Sequence, residues 1–295
     1  MCAVKVREIT AVRSDRSNPV EFDRAPGGIH YAHARFWLIL FFLTSCCWFR
    51  SSAQTPLGGA ESSTWLSYFG DQPFTNTLAL HLEASYRHTF PFDHPEQYML
   101  RGGLTVDHGH GLSSLFAYTY LVSDPFEGGT LLPAPASEKL PEHRALEQLQ
   151  FQHRLIRTGE KHITLTHRFR AEQRWLGTET EGEGATRWKF AERARYRLTA
   201  KIPFKTTSWP IAPDYVSVFN EVYTAFGPHS GNSPFYANVD YGAFGWNLGS
   251  AFAFELGYQH RYAPIANRVL GQNDNELQLT LLSTAPIRRF HHHAQ

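Results

Sequence analysis

The chain has 295 residues, with 28 Lys and Arg against 27 Asp and Glu, and a formal net charge of +1. That balance excludes a global electrostatic bias toward nucleic acid. Hydrophobic residues make up 42% of the chain and mean hydropathy is −0.37, yet 14% of residues are aromatic, with 22 Phe, 13 Tyr and 7 Trp.

Phe36 to Phe49 reads FWLILFFLTSCCWF. This run is too short to cross a bilayer as a helix, which needs about 20 apolar residues. It has the length of a signal-peptide core, with Arg35 as its positive flank. Ser51 and Ala53 supply the small residues of a cleavage site, so residues 1–53 read as leader and signal peptide, cleaved after Ala53. Leu43-Thr44-Ser45-Cys46 also fits a lipoprotein processing box with Cys46 lipidated, but a barrel needs no lipid anchor. Residues 1–35 form a long, partly acidic leader, which points to a true start downstream of Met1. Cys2, Cys46 and Cys47 are the only cysteines, so the expected mature chain has no disulfide or thiolate site. Nothing after residue 53 has the composition of a membrane-spanning helix.

Beyond a short segment at 54–76, alternation dominates. Thr77–His88 sets Leu78, Leu80, Leu82 and Tyr86 against His81, Glu83 and Arg87. Tyr98–Asp107 sets Leu100, Leu104 and Val106 against Arg101 and Asp107, and Leu112–Val122 sets Phe116, Tyr118 and Tyr120 against Ser113 and Thr119. Leu149, Phe151 and Leu155 oppose Gln148, Gln150 and Arg154. Ile163–Trp175 divides into Leu165, His167 and Phe169 against Arg168, Arg170, Glu172 and Arg174. Trp188–Ile202 divides into Phe190, Tyr196 and Leu198 against Lys189, Arg193, Arg195, Arg197 and Lys201. Val216, Val218 and Val222 oppose Glu221; Val239 and Tyr241 oppose Asn238 and Asp240; Phe254, Leu256 and Tyr258 oppose Glu255 and Arg261; Leu277 and Leu279 oppose Glu276.

A period of two is the signature of strands, and these runs have one greasy and one charged face. They count to about ten strands, with Trp65–Phe74 as a leftover that would raise the number to twelve. Long and short connections alternate, as in outer-membrane barrels with short periplasmic turns and long outer loops. The short ones are His108–Gly111, Thr158–Lys161 and Leu248–Gly249; the long ones include Ser123–Pro141, Leu176–Ala185, Gly227–Ser233 and Pro264–Asp274. With both termini periplasmic, the strand number must be even. The expectation is an all-β, antiparallel transmembrane barrel over 77–283 with a charged lumen, followed by a tail at 284–295. The rival is a soluble periplasmic ligand-binding barrel with the apolar face inside, which local alternation alone cannot separate from the first.

The pattern Trp65…Glu83…Arg87, then Arg168-Phe169-Arg170-Ala171-Glu172-Gln173-Arg174, then Arg193-Ala194-Arg195-Tyr196-Arg197-Leu198, then Asn220-Glu221-Val222-Tyr223 resembles the bacterial domain-of-unknown-function 2490 family. The resemblance spans about Trp65 to Leu282 and is specific in the combination of its blocks. It implies an outer-membrane-type β-barrel and implies no activity. The chain's end departs from outer-membrane habit, since Leu277–Leu282 runs into Ser-Thr-Ala-Pro rather than closing on an aromatic residue.

The inward face is expected to carry Glu83, Arg87, Arg101, Arg168, Arg170, Glu172, Arg174, Arg193, Arg195, Arg197, Glu221 and Glu255. Arg154, Lys189, Lys201, Arg261, Asp107, Asp240 and Glu276 complete a set of twelve basic and seven acidic side chains. In a narrow barrel these would pair across the lumen, with arginine forks satisfying carboxylates. The positive excess points to passage or binding of small anionic solutes. An outer-membrane hydrolase is the remaining class. Its candidate groups are His108 and His110 beside Asp107, and His229 with Ser230 and Ser233, but no nucleophile motif accompanies them. No catalytic residue, metal site or cofactor is assigned; His291–His293 reads as a frayed tail. Trp65, Trp175, Trp188, Trp209 and Trp246 fall near strand ends, as an interfacial aromatic girdle would. The expected setting is a monomer in the lipid of the bacterial outer membrane.

Overall fold

The structure is a computed structural model, and it describes residues 60–92, 94–123, 140–158, 161–180, 184–204, 211–226, 235–264 and 271–286. The expected cleavage site at Ala53, Trp209, His229, Ser230, Ser233 and His291–His293 lie outside the described residues.

Eleven strands close into one barrel: β1 (Ala60–Pro73), β2 (Leu78–Thr89), β3 (Pro95–Gly109), β4 (Leu112–Ser123), β5 (Leu140–Thr158), β6 (Lys161–Thr180), β7 (Gly184–Pro203), β8 (Tyr215–Phe226), β9 (Phe235–Asn247), β10 (Phe252–Pro264) and β11 (Gly271–Ser283). Each strand pairs antiparallel with the next, and β1 pairs parallel with β11. The strand number is therefore eleven, neither ten nor twelve. The segment 60–73 is not a leftover but the closing strand, so the barrel begins at Ala60 rather than at residue 77.

The parallel seam follows from the count. In an up-and-down meander with an odd number of strands, the first and last point the same way and can only close in parallel. The start of β1 and the end of β11 thus stand at opposite ends of the barrel. That removes the basis for requiring an even number.

Connections at one end are 74–77, 110–111, 159–160, 204–214 and 248–251; at the other they are 90–94, 124–139, 181–183, 227–234 and 265–270. The first end is the short-turn end, with 204–214 its one long connection. Between β6 and β7 the expected long loop is mostly strand, because pairing continues to Thr180 and Gly184. At the β3–β4 turn Gly109, His110 and Gly111 all take positive φ, and glycine at two of the three positions makes that tight reversal accessible.

The register sets the width. A row of paired residues runs from Leu78 through Val106, Ser114, Leu149, Phe169, Tyr196, Val222, Asn238, Tyr262 and Asn273 to Ala60. Leu78 adjoins the far end of β1, since its carbonyl accepts from the Phe74 amide, so one circuit slips by about the 14 residues of β1. A stagger of this size tilts the strands strongly, in the range of roughly 35–45°.

Side chains on this row and every second row beside it point outward, and most are apolar. Leu100 is 64% exposed, Phe116 58% and Phe169 53%, while on the other face Glu221 is 0% and Glu172 1% exposed. The strand β9 reverses the expected sense. Ala237, Val239, Tyr241 and Ala243 are buried inside, whereas Asn238 and Asp240 face outward. Tyr241 fits inside because Gly257 on β10 lacks a side chain; a Cβ there would lie 2.5 Å from the Tyr241 hydroxyl. Trp65 also departs from the girdle expectation, for it lies on the inward rows of β1 with the Arg87 guanidinium 5.5 Å from its ring. Trp175 and Trp188 are exposed on the outer face, each in the long-loop half of its strand, β6 or β7.

The parallel seam is testable by a disulfide. Leu66 on β1 is registered with Leu279 on β11, and Tyr68 with Leu281. A Leu66→Cys/Leu279→Cys chain should oxidise to an internal disulfide, seen as faster non-reducing gel mobility, while Leu66→Cys/Leu281→Cys should do so poorly. Equal or reversed efficiencies would refute this register.

Candidate functional site

The barrel interior holds the densest polar chemistry among the described residues, supplied by alternate positions on every strand except β9. It is built around a few carboxylates, each gripped by several arginines.

Nearest the long-loop end, Glu142 on β5 receives both Nε (2.6 Å) and Nη2 (3.0 Å) of Arg144 and both Nε (2.5 Å) and Nη2 (3.0 Å) of Arg174. One step inward, Glu172 on β6 receives Arg193 Nε at 2.7 Å and Arg195 Nη1 at 2.9 Å. Glu221 on β8 then receives Arg168 Nη2 at 2.8 Å, Arg195 at 2.8 and 3.0 Å, and Arg197 at 2.6 and 3.1 Å. The Tyr223 hydroxyl donates to the same carboxylate at 3.2 Å and accepts from Arg195 at 2.7 Å. Arg195 joins the two groups, so Arg168, Arg193, Arg195 and Arg197 share the two carboxylates Glu172 and Glu221. Aromatic faces take up part of the remaining charge: Arg195 lies 4.3 Å from the Tyr223 ring and Arg197 3.6 Å from Phe219.

A third group centres on Glu83 of β2. It is bonded to Arg101, lies 3.1 Å from His81 Nε2 and 3.7 Å from Arg170 Nη2. Since β2 and β6 are not neighbours, the Glu83–Arg170 contact spans the interior. Arg170 is held from behind by Gln148 at 2.7 and 3.0 Å, and His81 Nδ1 is 2.8 Å from Asp71. Arg87 bridges Glu96 at 2.5 Å and Glu276 at 3.1 Å. Glu255 stands apart from the arginines and accepts from the Tyr241 hydroxyl at 3.2 Å.

The structure thus places Glu83, Arg101, Arg168, Arg170, Glu172, Arg193, Arg195, Arg197 and Glu221 in contacting groups. Arg174 and Arg87 belong to separate groups, Arg174 with Arg144 on Glu142 and Arg87 between Glu96 and Glu276. Asp240 does not belong with them, as it is exposed on the outer face. Glu142, Arg144 and Asp71 were not among the expected inward residues. The expected connection ended at Pro141 and the expected alternation began at Gln148, which left 142–147 unassigned, although Glu142, Arg144 and Leu146 already alternate with the period of the strand that follows. Asp71 sat in the segment set aside.

Toward the short-turn end, below the Glu83–Arg170 bridge, the interior opens into a cavity of about 270 Å³. Asp71, His81 and Glu83 line one side, and Arg168, Arg170 and Arg197 line another. Arg168 Nε is buried and has no hydrogen-bond partner among the described residues.

A model of the family described as "Protein of unknown function (DUF2490)" matches residues 62–271. The chain belongs to this family. The matched span covers most of β1 and all of β2 to β10, ending where β11 begins. No curated protein and no solved structure matches the chain.

The histidine–serine alternative has one geometric remnant. His108 Nε2 lies 2.8 Å from Ser114 Oγ on the outside of the β3–β4 hairpin. Asp107, which would have to orient the imidazole, accepts from the Gly109 amide at 2.8 Å instead. Among the described residues, no group of three or more His, Cys, Asp or Glu is arranged to hold a metal.

Glu221 carries the largest share of the network. Replacing it by Gln leaves three buried guanidinium groups around a neutral amide, and breaking such a pair costs about 3–5 kcal/mol. Glu221→Gln should lower unfolding stability by that order in denaturant titrations followed by tryptophan fluorescence. Leu100→Val, on the outer face of β3, should change stability by less than about 0.5 kcal/mol. Equal effects would refute the assignment of Glu221 as the keystone.

Proposed function

We propose that the chain is a bacterial outer-membrane β-barrel. Ion pairs close its long-loop half, and its short-turn half forms a small pocket for anionic solutes. The observation that carries this reading is the reversal of polarity across the wall. Large apolar side chains such as Leu100, Phe116, Phe169, Phe244 and Tyr258 are exposed, while Glu83, Arg101, Glu172, Arg193 and Glu221 are buried. A barrel in water would be expected to do the opposite, whereas a barrel in lipid has apolar side chains outward and a polar interior. The signal-peptide pattern at residues 36–53 and the tilted, closed sheet support the same setting.

The anion preference rests on the cavity. Arg168, Arg170 and Arg197 line it; Asp71, Glu83 and Glu255 also line it but are already bonded to His81, Arg101 and Tyr241, whereas Arg168 Nε has no hydrogen-bond partner among the described residues. A guanidinium with unused donors matches a carboxylate or phosphate oxygen. Solute would enter from the short-turn end, because the Glu142, Glu172 and Glu221 groups fill the path from the other side.

Membrane placement, anion binding and conductance test the reading. Membrane flotation and heat-modifiable gel mobility should place the chain in the bilayer, and recovery without detergent would sink the membrane reading. Phosphate or acetate should bind the purified barrel in calorimetry. Arg168→Gln/Arg197→Gln should weaken that binding about tenfold or more, the loss of one charge-assisted contact. In planar bilayers the wild-type barrel should show no large steady conductance. A large cation-selective current would reject both the closed interior and the anion preference.

A further inference from the structure

Among the described residues the outer wall carries a polar row four strands wide. Asn220, Asp240, His260 and Asn275 occupy a single row of registered neighbours across β8, β9, β10 and β11. Asn220 and Asp240 stand near the middle of their strands, not at a rim. On the side toward the short turns the flanking row is Val218, Gly242, Tyr258 and Leu277. Glu147 on β5 is also outward and exposed, but its registered neighbours are Phe116 and Ala171, so it begins no such row.

Within the row, Asn220 Nδ2 donates to Asp240 at 2.8 Å and to Asn238 at 3.0 Å, and the Tyr258 hydroxyl donates to Asn275 at 2.5 Å. These bonds leave the second oxygen of Asp240 and both ring nitrogens of His260 without a hydrogen bond among the described residues. A carboxylate and an imidazole aimed at hydrocarbon are costly, and such groups in membranes face a partner or water.

We propose that this row is the contact between two copies of the chain standing side by side in the membrane, an inference that rests on the membrane reading above. The pairing of the residues favours a second copy over any other occupant. Asp240 and His260 are register partners on adjacent strands, and so are Gly242 and Tyr258. A twofold axis parallel to the barrel axis and passing between β9 and β10 exchanges these two strands. It brings the Asp240/His260 pair of each copy beside that of the other; the strand tilt offsets the two partners in height by about 3 Å, a gap the His260 side chain can span to offer a donor to the facing carboxylate. It also sets Tyr258, 54% exposed, over Gly242, where the missing side chain helps leave a recess of about 470 Å³ that runs from Leu165 and Leu198 across Val218 and Gly242 to Tyr258. The surface is complementary to itself in charge and in shape, as an isologous interface requires.

The test is cross-linking in intact membranes. An outward Cβ at Gly242 meets only Val218, at 3.9 Å, so Gly242→Cys should be tolerated. A short bis-maleimide should convert Gly242→Cys to a band of twice the single-chain mass. Leu100→Cys, on β3 away from the patch, and the unsubstituted chain should stay single. Adding His260→Leu to Gly242→Cys should lower the cross-linked fraction about tenfold while heat-modifiable mobility persists, the loss of one charge-assisted hydrogen bond at each half. A Gly242→Cys chain that floats with membranes yet stays single, or cross-links to a different polypeptide, overturns the self-association and leaves the membrane reading intact. A chain recovered without detergent overturns both.

Discussion

A carboxylate shielded from water must be compensated, and in this barrel Glu221 sets the terms. It is fully buried and bonded to Arg168, Arg195 and Arg197, which come from the two strands β6 and β7. Those arginines occupy alternate positions because alternate positions face the interior. Moving any of the three strands by one residue would turn its charged set to the outer wall and its apolar set inward. The ion pairs therefore act as a register lock. Their net contribution to stability is modest beside the cost of breaking them, since desolvation offsets most of the attraction. What they specify is the alignment of β6, β7 and β8, and through the closed sheet the alignment of the rest.

The same physics explains what could be read from the residues alone. Ile163–Trp175 and Trp188–Ile202 alternate so strongly that their strand character and facing are plain, and both lie in strands of 20 residues. Ala60–Pro73 was harder. Its inward positions include Ser63, Trp65, Ser67 and Phe69 and its outward ones Thr64, Leu66 and Tyr68, so neither face is distinctly polar. Its role depends on a parallel partner more than two hundred residues away. No local period carries that information.

The strand β9 failed for a different reason. Alternation identifies two faces but not which is inside, and the rule that the apolar face points outward does not hold for this strand. The interior near β9 is occupied by Tyr215 and Tyr241 over Gly245 and Gly257, so that sector is packed by rings rather than by ions. Glu142 and Arg144 show the complementary limit. Their pairing with Arg174 requires the register of β5 with β6, in which Arg144 stands opposite Arg174.

Asp240 and Glu221 then pose one problem with two solutions. They sit one residue apart in register, Glu221 opposite Val239 and Asn220 opposite Asp240, on opposite faces of the same pair of strands. Inside, three guanidinium groups converge because the curved wall brings β6, β7 and β8 toward a common centre. Outside, the same curvature spreads side chains apart, so neighbouring strands can offer Asp240 only Asn220. A convex wall cannot surround its own carboxylate. If hydrocarbon covers that wall, the rest of the compensation has to come from another molecule, and the Asp240/His260 and Gly242/Tyr258 pairs make a second copy of this wall the fitting one.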